Sequence, residues 1–257
     1  MIELLSPRQI DQMRPAGRFV ADVLQDLRAR VEPGVNLLDI DGWAAEMIRR
    51  RNAVSCYVDY APSFGRGPFG KVICTSVNDA VLHGLPHDYP LRDGDLLTLD
   101  FAAEVDGWVC DSAISFVVGD GGGPADEHLI DTTRAALDAA IPVCAPGNRL
   151  GDVSATIGGV LTGAGYEVNT EFGGHGVGRT MHQDPHVANI GRAGRGLSLR
   201  PGLVIAVEPW VMIGTKTLTV DPDGWTLRSA NHERTAHHEH TIAVTEDGPV
   251  VLTLPGQ

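Results

Sequence analysis

Apolar residues recur at three- and four-residue steps along the first thirty positions: Ile10, Met13, Ala16, Phe19, Val20, Val23, Leu24 and Leu27. That spacing lays one stripe along an α-helix. Ser6-Pro7 followed by Gln9 supplies its start, because the hydroxyl caps, Pro suits the first turn and Gln closes a capping box. The pattern predicts a helix over 7–31, stopped by Pro33-Gly34, and a second from about Leu38 to Arg51. The stretch 61–70 is rich in Pro, Gly and Ser and predicts a loop. Strand-like runs follow at 71–77, 96–105 and 108–118. Gly119 to Pro124 then breaks the chain, and residues 129–143 predict a helix ended by Pro146-Gly147.

The order of elements repeats. Pro33-Gly34-x-x-Leu37-x-x-Ile40 returns 113 positions later as Pro146-Gly147-x-x-Leu150-x-x-Val153, and Leu91-Arg92-x-Gly94 returns 108 positions later as Leu199-Arg200-x-Gly202. The expectation is one α+β domain over 1–257, made of two related halves at about 1–120 and 124–257. Each half is a pair of helices followed by antiparallel strands. The repeat aligns Asp100 with Glu208, both late in apolar runs (96–101 and 203–208), and a pseudo-twofold fold brings them face to face.

Such carboxylates require compensation, since burying an unpartnered charge costs several kcal/mol. Asp106-Gly107 between two strand-like runs is a strong hairpin signal. A two-residue loop there pairs Val105 with Trp108 and Asp100 with Ala113, and sets Asp111 opposite Ala102. Asp100 and Asp111 then become diagonal neighbours on one face, with Cβ atoms roughly 7 Å apart. Three arrangements relieve their repulsion: a shared proton, an inserted Arg or Lys, or a divalent cation. Glu208 lies within the apolar run 203–213 and Glu239 opens the run 239–244. No comparably embedded Lys or Arg accompanies these four acids, which favours cations, and their summed charge matches two divalent ions.

Among ten histidines, His175 stands out because Gly173-Gly174-His175-Gly176-Val177-Gly178 clears side chains from around it and lets backbone approach a ligand. His182 follows seven residues later. In His237-His238-Glu239-His240, strand alternation puts His238 and His240 on the face opposite Glu239, so neither is expected to ligate.

Composition narrows the function classes. The chain has 257 residues, 43% of them hydrophobic, with 20 Lys+Arg against 33 Asp+Glu and a net charge of -13. That balance argues against nucleic-acid binding and against an anionic membrane surface. Cys56, Cys74, Cys110 and Cys144 form no CxxC pair and read as reduced thiols. With no signal segment and no long apolar run, a cytoplasmic protein is expected. Gly65-Arg66-Gly67-Pro68-Phe69-Gly70-Lys71 resembles a phosphate loop, but Val72 stands where Ser or Thr would hold magnesium and a strand-like run follows it. His232 to His237 has one residue too many for HExxH, and no Gly-x-Ser-x-Gly elbow occurs.

From Ser6 to Leu254 the chain resembles type I methionine aminopeptidases, the pita-bread metallopeptidases. The resemblance lies in Cys74-Thr75-Ser76-Val77-Asn78-Asp79 leading to His83-Gly84-Leu85-Pro86, in Asp100 and Asp111, in Gly174-His175-Gly176-Val177-Gly178, in Val207-Glu208-Pro209 and in Glu239-His240-Thr241. It implies a pita-bread fold, with helices outside a curved antiparallel sheet. It also implies a centre of two divalent metal ions (Mn, Fe, Co or Zn) bridged by Asp111 and Glu239. Asp100 would chelate one ion, and His175 with Glu208 would complete the other. Glu208 would also shuttle protons, His83 would bond the scissile amide or leaving nitrogen, and His182 would stabilise the oxyanion. Cys74, Phe69 and Trp225 would wall the methionine pocket, with Cys56 or Tyr60 nearby. The stretch from Cys56 to Cys74 is a few residues longer than the shorter bacterial pattern. The implied substrates are N-terminal Met peptides and nascent chains at the ribosome, with a small second residue. With 99 residues before Asp100 and 31 from Glu208 to Glu239, the expectation is a monomeric bacterial cytosolic enzyme, without the extra domain of proline-cleaving relatives or the type II insertion.

Overall fold

The computed structural model describes residues 2–62 and 65–256. The first half contains α1 (Pro7–Arg30), α2 (Leu37–Arg51), β1 (Val54–Ser55), β2 (Cys74–Val77), β3 (Ala80–Leu82), β4 (Leu96–Val105) and β5 (Trp108–Val117). Next come α3 (Pro124–Ala140), a 3-10 turn over Ile141–Val143, α4 (Leu150–Gly163), β6 (Gly174–Gly176), β7 (Gln183–Val187) and β8 (Val204–Val207). The chain closes with β9 (Trp210–Met212), β10 (Leu218–Val220), β11 (Leu227–Ser229), β12 (Thr235–His237), β13 (Glu239–Thr245) and β14 (Gly248–Val251). No helix among the described residues is long and apolar enough to cross a membrane.

The helices begin where their caps dictate. Ser6 and Gln9 form the capping box of α1, and Asn36 with Asp39 forms that of α2. α3 starts five residues before the expected 129, because Gly123 accepts the N-cap position and Pro124 the first turn. The 65–70 loop leads through bends into β2, not into a helix, so the phosphate-loop resemblance has no helix N-terminus behind it.

The main sheet is antiparallel, ordered β1-β4-β5-β13-β8-β6-β7, with β2 added on β4 and β14 on β13. It is the curved half-barrel of a pita-bread fold, and α1 lies across β4 and β5. Two apolar cores follow the two halves. Met13, Val20, Leu24, Leu27, Leu37, Ile40 and Phe101 belong to one, and Leu129, Leu137, Val153, Ile157, Ile205 and Ile242 to the other.

The matched sequence turns make matched bonds. Leu37 N–H donates to the Tyr89 carbonyl (3.1 Å), and Leu150 N–H donates to the Leu197 carbonyl (2.9 Å). Leu91 N–H reaches the Val35 carbonyl as Leu199 N–H reaches that of Asn148, both at 2.8 Å. Gly94 N–H to Val118 and Gly202 N–H to Val244 repeat the arrangement, again both at 2.8 Å.

The β4–β5 hairpin has the register expected from Asp106-Gly107: Val105 faces Trp108, Asp100 faces Ala113 and Ala102 faces Asp111. Both turn residues have positive φ (54° and 78°), the two-residue turn that Asn/Asp-Gly pairs favour. The long run expected at 203–213 is instead two strands. Pro209 has no N–H for the ladder, so β8 ends at Val207, and Glu208 projects from the break before β9.

Candidate metal centre

Five elements deliver the candidate ligands to one cavity. Asp100 and Asp111 come from the hairpin, His175 from the centre of β6, Glu208 from the end of β8 and Glu239 from the first position of β13. Glu239 pairs with Ala113 and His240 with Ser112, which brings β13 beside β5. Beyond those pairs a hydroxyl continues the contact: Thr241 Oγ1 accepts from Asp111 N–H (2.9 Å) and donates to the Asp111 carbonyl (2.8 Å).

The glycines flanking His175 have a reason the sequence did not give. A Cβ at Gly174 would strike the Ala206 carbonyl oxygen, and one at Gly176 the Asp184 carbonyl oxygen. They admit β8 and the chain at Asp184 on either side of β6, where the sequence suggested approach to a ligand. With both neighbours fixed, His175 is held at the cavity wall.

The cavity is lined by all four acids and His175, together with His83, His182, Cys74, Phe69, Trp225, Tyr57, Tyr60, Leu82 and Met181. Every residue expected at the site is therefore gathered there, although Cys56 is not part of the lining. Tyr57, which sequence reasoning did not select, donates its hydroxyl to Asp100 Oδ1 at 2.7 Å. It sits in an irregular segment without periodicity, so its only sequence signal was proximity to the Met-pocket candidates.

The apolar end of the cavity is built from rings. Phe69 meets Trp225 edge-on at 5.2 Å and Tyr57 at 5.6 Å. Tyr60 lies 5.3 Å from the His182 ring and 6.1 Å from Trp225. With Leu82, Met181 and Cys74, they offer a soft, polarisable wall suited to a flexible thioether side chain.

Charge at the other end is unbalanced. Among the described residues no Lys or Arg lines the cavity. Burial pushes the Asp100 carboxyl up to about 6, against hydrogen bonds from Tyr57, Asp111 and Cys74 that pull it down. Burial and the nearby Asp100 charge push Glu208 up to about 8. Asp111 and Glu239 are held well above the usual carboxylate range by burial first and by the neighbouring acids second.

The imidazole points the same way. His175 Nδ1 lies 3.0 Å from the Gly176 carbonyl, which can only accept, so Nδ1 carries the proton. Burial, with His182 nearby, lowers its pKa to about 3 and leaves the ring neutral. Its Nε2 lone pair therefore faces Glu208 Oε1 at 3.7 Å and Asp111 Oδ2 at 3.9 Å. A lone pair aimed at carboxylate oxygens is repulsive unless a cation lies between them. Ligand atoms of Asp111, His175 and Glu239 lie within 4.8 Å of one another, and the buried Glu239 Oε1 has no hydrogen-bond partner. The donor set fits divalent metal.

A second acidic group behaves differently. Asp79 and Asp221 clasp Arg228 at 2.6 and 2.7 Å, and Asp79 also meets His232 Nδ1 at 2.9 Å. Asp79, Asp221 and Arg228 line a separate cleft with Tyr89, Asp223 and Thr226.

A fold of this kind with such a cavity defines a metal-dependent peptidase, and the comparisons with known proteins agree. Residues 11–246 match the model of metallopeptidase family M24, and the chain belongs to that family. Within it the chain is similar to "Methionine aminopeptidase" of Aquifex aeolicus, 39% identical across 98% of each chain. It is also similar to "Methionine aminopeptidase 1" of Mycobacterium tuberculosis, 40% identical over 97% of this chain and 94% of that one. The crystal structure of methionine aminopeptidase from Rickettsia prowazekii superposes with a TM-score of 0.94 at 34% identity, covering 99% of this chain and 100% of that one.

Proposed function

We propose that the chain, acting as a single catalytic domain, removes the N-terminal methionine from peptides and nascent proteins. One observation carries the reading: the buried Asp111 and Glu239, the half-buried Asp100 and Glu208 and the neutral imidazole of His175 share a cavity that, among the described residues, no Lys or Arg lines. Two divalent cations match that charge. Asp100, Asp111, His175, Glu208 and Glu239 would hold them. Manganese, iron, cobalt and zinc all accept such oxygen-rich ligation with one imidazole. Bound there, the ions supply Lewis-acid polarisation of a carbonyl and bring the pKa of water toward neutrality.

The chain's own groups do the rest. The apolar wall of Cys74, Phe69 and Trp225, extended by Leu82 and Met181, receives the methionine side chain and excludes water around it. The free α-amino group sits at the carboxylate end, which restricts cleavage to the first peptide bond. Burial and the neighbouring Asp100 hold the Glu208 carboxyl near a pKa of about 8 before metal binds. With metal bound the carboxylate is ionised, and Glu208 would then take a proton from the nucleophile and pass it toward the leaving amine. Burial lowers His83 to about 4, with His182 adding to the effect, so it meets the scissile amide as a neutral hydrogen-bonding group. Burial also lowers His182, which approaches the carbonyl oxygen from beside His175, with ring centroids 4.3 Å apart. A small second residue is preferred, and the protein works as a cytoplasmic monomer on chains emerging from the ribosome.

The test is hydrolysis of Met-Ala and Met-Gly peptides by protein that has been chelated and then reloaded with each metal in turn. Activity should vanish with chelator and return with at least one ion. A metal-loaded sample that cleaves neither peptide sinks the proposal, and equal cleavage of Met-Ala and Met-Leu peptides sinks the second-residue preference.

A further inference from the structure

Behind the two glutamates stands a buried imidazole nitrogen with no hydrogen bond. His237 ends β12 and is 2% exposed. Its Nε2 has no hydrogen-bond partner among the described residues, and lies 3.9 Å from Glu208 Oε2 and 3.9 Å from Glu239 Oε2. Leaving such a nitrogen unsatisfied is costly unless a partner comes within reach.

The backbone of His237 is fixed from two sides. It pairs with Trp210 in β9, its N–H donates to Ser115 Oγ at 2.9 Å, and Ser115 Oγ donates to its carbonyl at 2.8 Å. The oxygens facing Nε2 are Oε2 of each glutamate. Glu208 Oε1 instead faces His175 Nε2 at 3.7 Å, and Glu239 Oε1 has no hydrogen-bond partner. Those two oxygens are the ones available to a cation. His237 itself is not among the residues whose ligand atoms cluster within 4.8 Å, which are Asp111, His175 and Glu239.

We propose that His237 is a positioning residue for the metal centre. With cations bound, its Nε2–H closes from 3.9 Å onto the outward oxygens of Glu208 and Glu239 and so fixes the rotamers in which their other oxygens meet metal. Carboxylate ligands are generally held by such outer donors, and losing one typically costs 10–100-fold in metal affinity. The proposal rests on the reading that Glu208 and Glu239 hold divalent cations.

Calorimetric titration of Mn2+ into the chelated full-length protein tests it, alongside 14N couplings in pulsed electron paramagnetic resonance. His237→Leu removes the donor at similar volume, and should weaken Mn2+ binding roughly 10–100-fold while leaving the 14N coupling of His175 and the number of bound ions unchanged. His237→Gln restores an N–H at comparable reach and should recover most of that loss. Should His237→Leu fail to fold, as judged by circular dichroism, His237→Met carries the same test. Wild-type affinity in the donorless variant overturns the proposal, as does a lost 14N coupling or a lost ion, either of which would make His237 a ligand. A wild-type protein that binds no Mn2+ would sink the functional reading instead, so the two failures are told apart.

Discussion

The acids of the cavity and the acids around Arg228 both lie close together, but they differ in how their charge is met. Asp79 and Asp221 each hold one edge of a guanidinium that is 27% exposed. Burial alone would lower the pKa of Arg228, but its bonds to Asp221 and Asp79 outweigh that and raise it. The pKa of Asp223 in the same cleft is lowered, its desolvation outweighed by bonds from Thr226 and the backbone at Trp225. In the cavity no such partner exists, and every carboxyl moves the other way. Acidic density alone therefore says little about metal. Burial without a cationic side chain is the informative combination.

The sharpest way to break the contrast is Asp111→Asn. Removing one charge from the cavity should depress kcat/KM on a Met-Ala peptide by more than the roughly 10–100-fold that outer-shell changes cost, with Mn2+ affinity falling in parallel by calorimetry. Activity near wild type would mean that the carboxylates are not ligands.

The next effect is on stability. Each cavity carboxyl has a folded pKa above its unfolded value of about 4, so the metal-free protein takes up protons on folding. Buried histidines held neutral, such as His175, His237 and His238, oppose this below the free imidazole pKa of about 6.5, so the loss of stability emerges as pH rises from there through about 8, the value of Glu208. Thermal melts with chelator should show Tm falling across that window, and saturating divalent metal should flatten the decline. A chelated protein whose stability rises between about pH 6.5 and pH 8, where the free imidazoles are already neutral, would contradict the electrostatics described for the cavity.

Arg228→Met probes the other cluster. It strands Asp79 and Asp221, but their partial exposure limits the cost to about 1–2 kcal/mol in urea unfolding. Mn2+ affinity at the cavity should not change. Comparable in size is Thr241→Val, which deletes both hydroxyl bonds to the buried Asp111 backbone, strands its N–H and carbonyl, and should cost about 1–3 kcal/mol by the same measurement.

How much of this was legible in sequence depends on local regularity. The hairpin register followed from Asp106-Gly107 and strand alternation alone, because a two-residue turn leaves no freedom in pairing. α1 was equally readable, since its cap and its stripe agree. Glu208 was placed in the right neighbourhood but within a continuous strand, because the apolar run masked the ladder break that Pro209 imposes. The two-residue period that turns His238 and His240 away from Glu239 also sets His237 on the glutamate's side, a placement legible in the sequence. His238 and His240 line a different cleft with Arg28 and Arg134. Tyr57 left no readable trace, for its place depends on how an aperiodic segment packs against the sheet. The small β10-β11-β3 sheet was also missed, as it joins strands far apart in the chain.

The crowding of β6 has a consequence for drift over generations. Backbone presses on both glycines beside His175, so substitution at either forces neighbouring strands apart before it can nudge the imidazole. Gradual retuning through that segment is blocked. A descendant that abandons hydrolysis would exchange the imidazole or an acid outright, and its lost chemistry would be plain from a single altered letter.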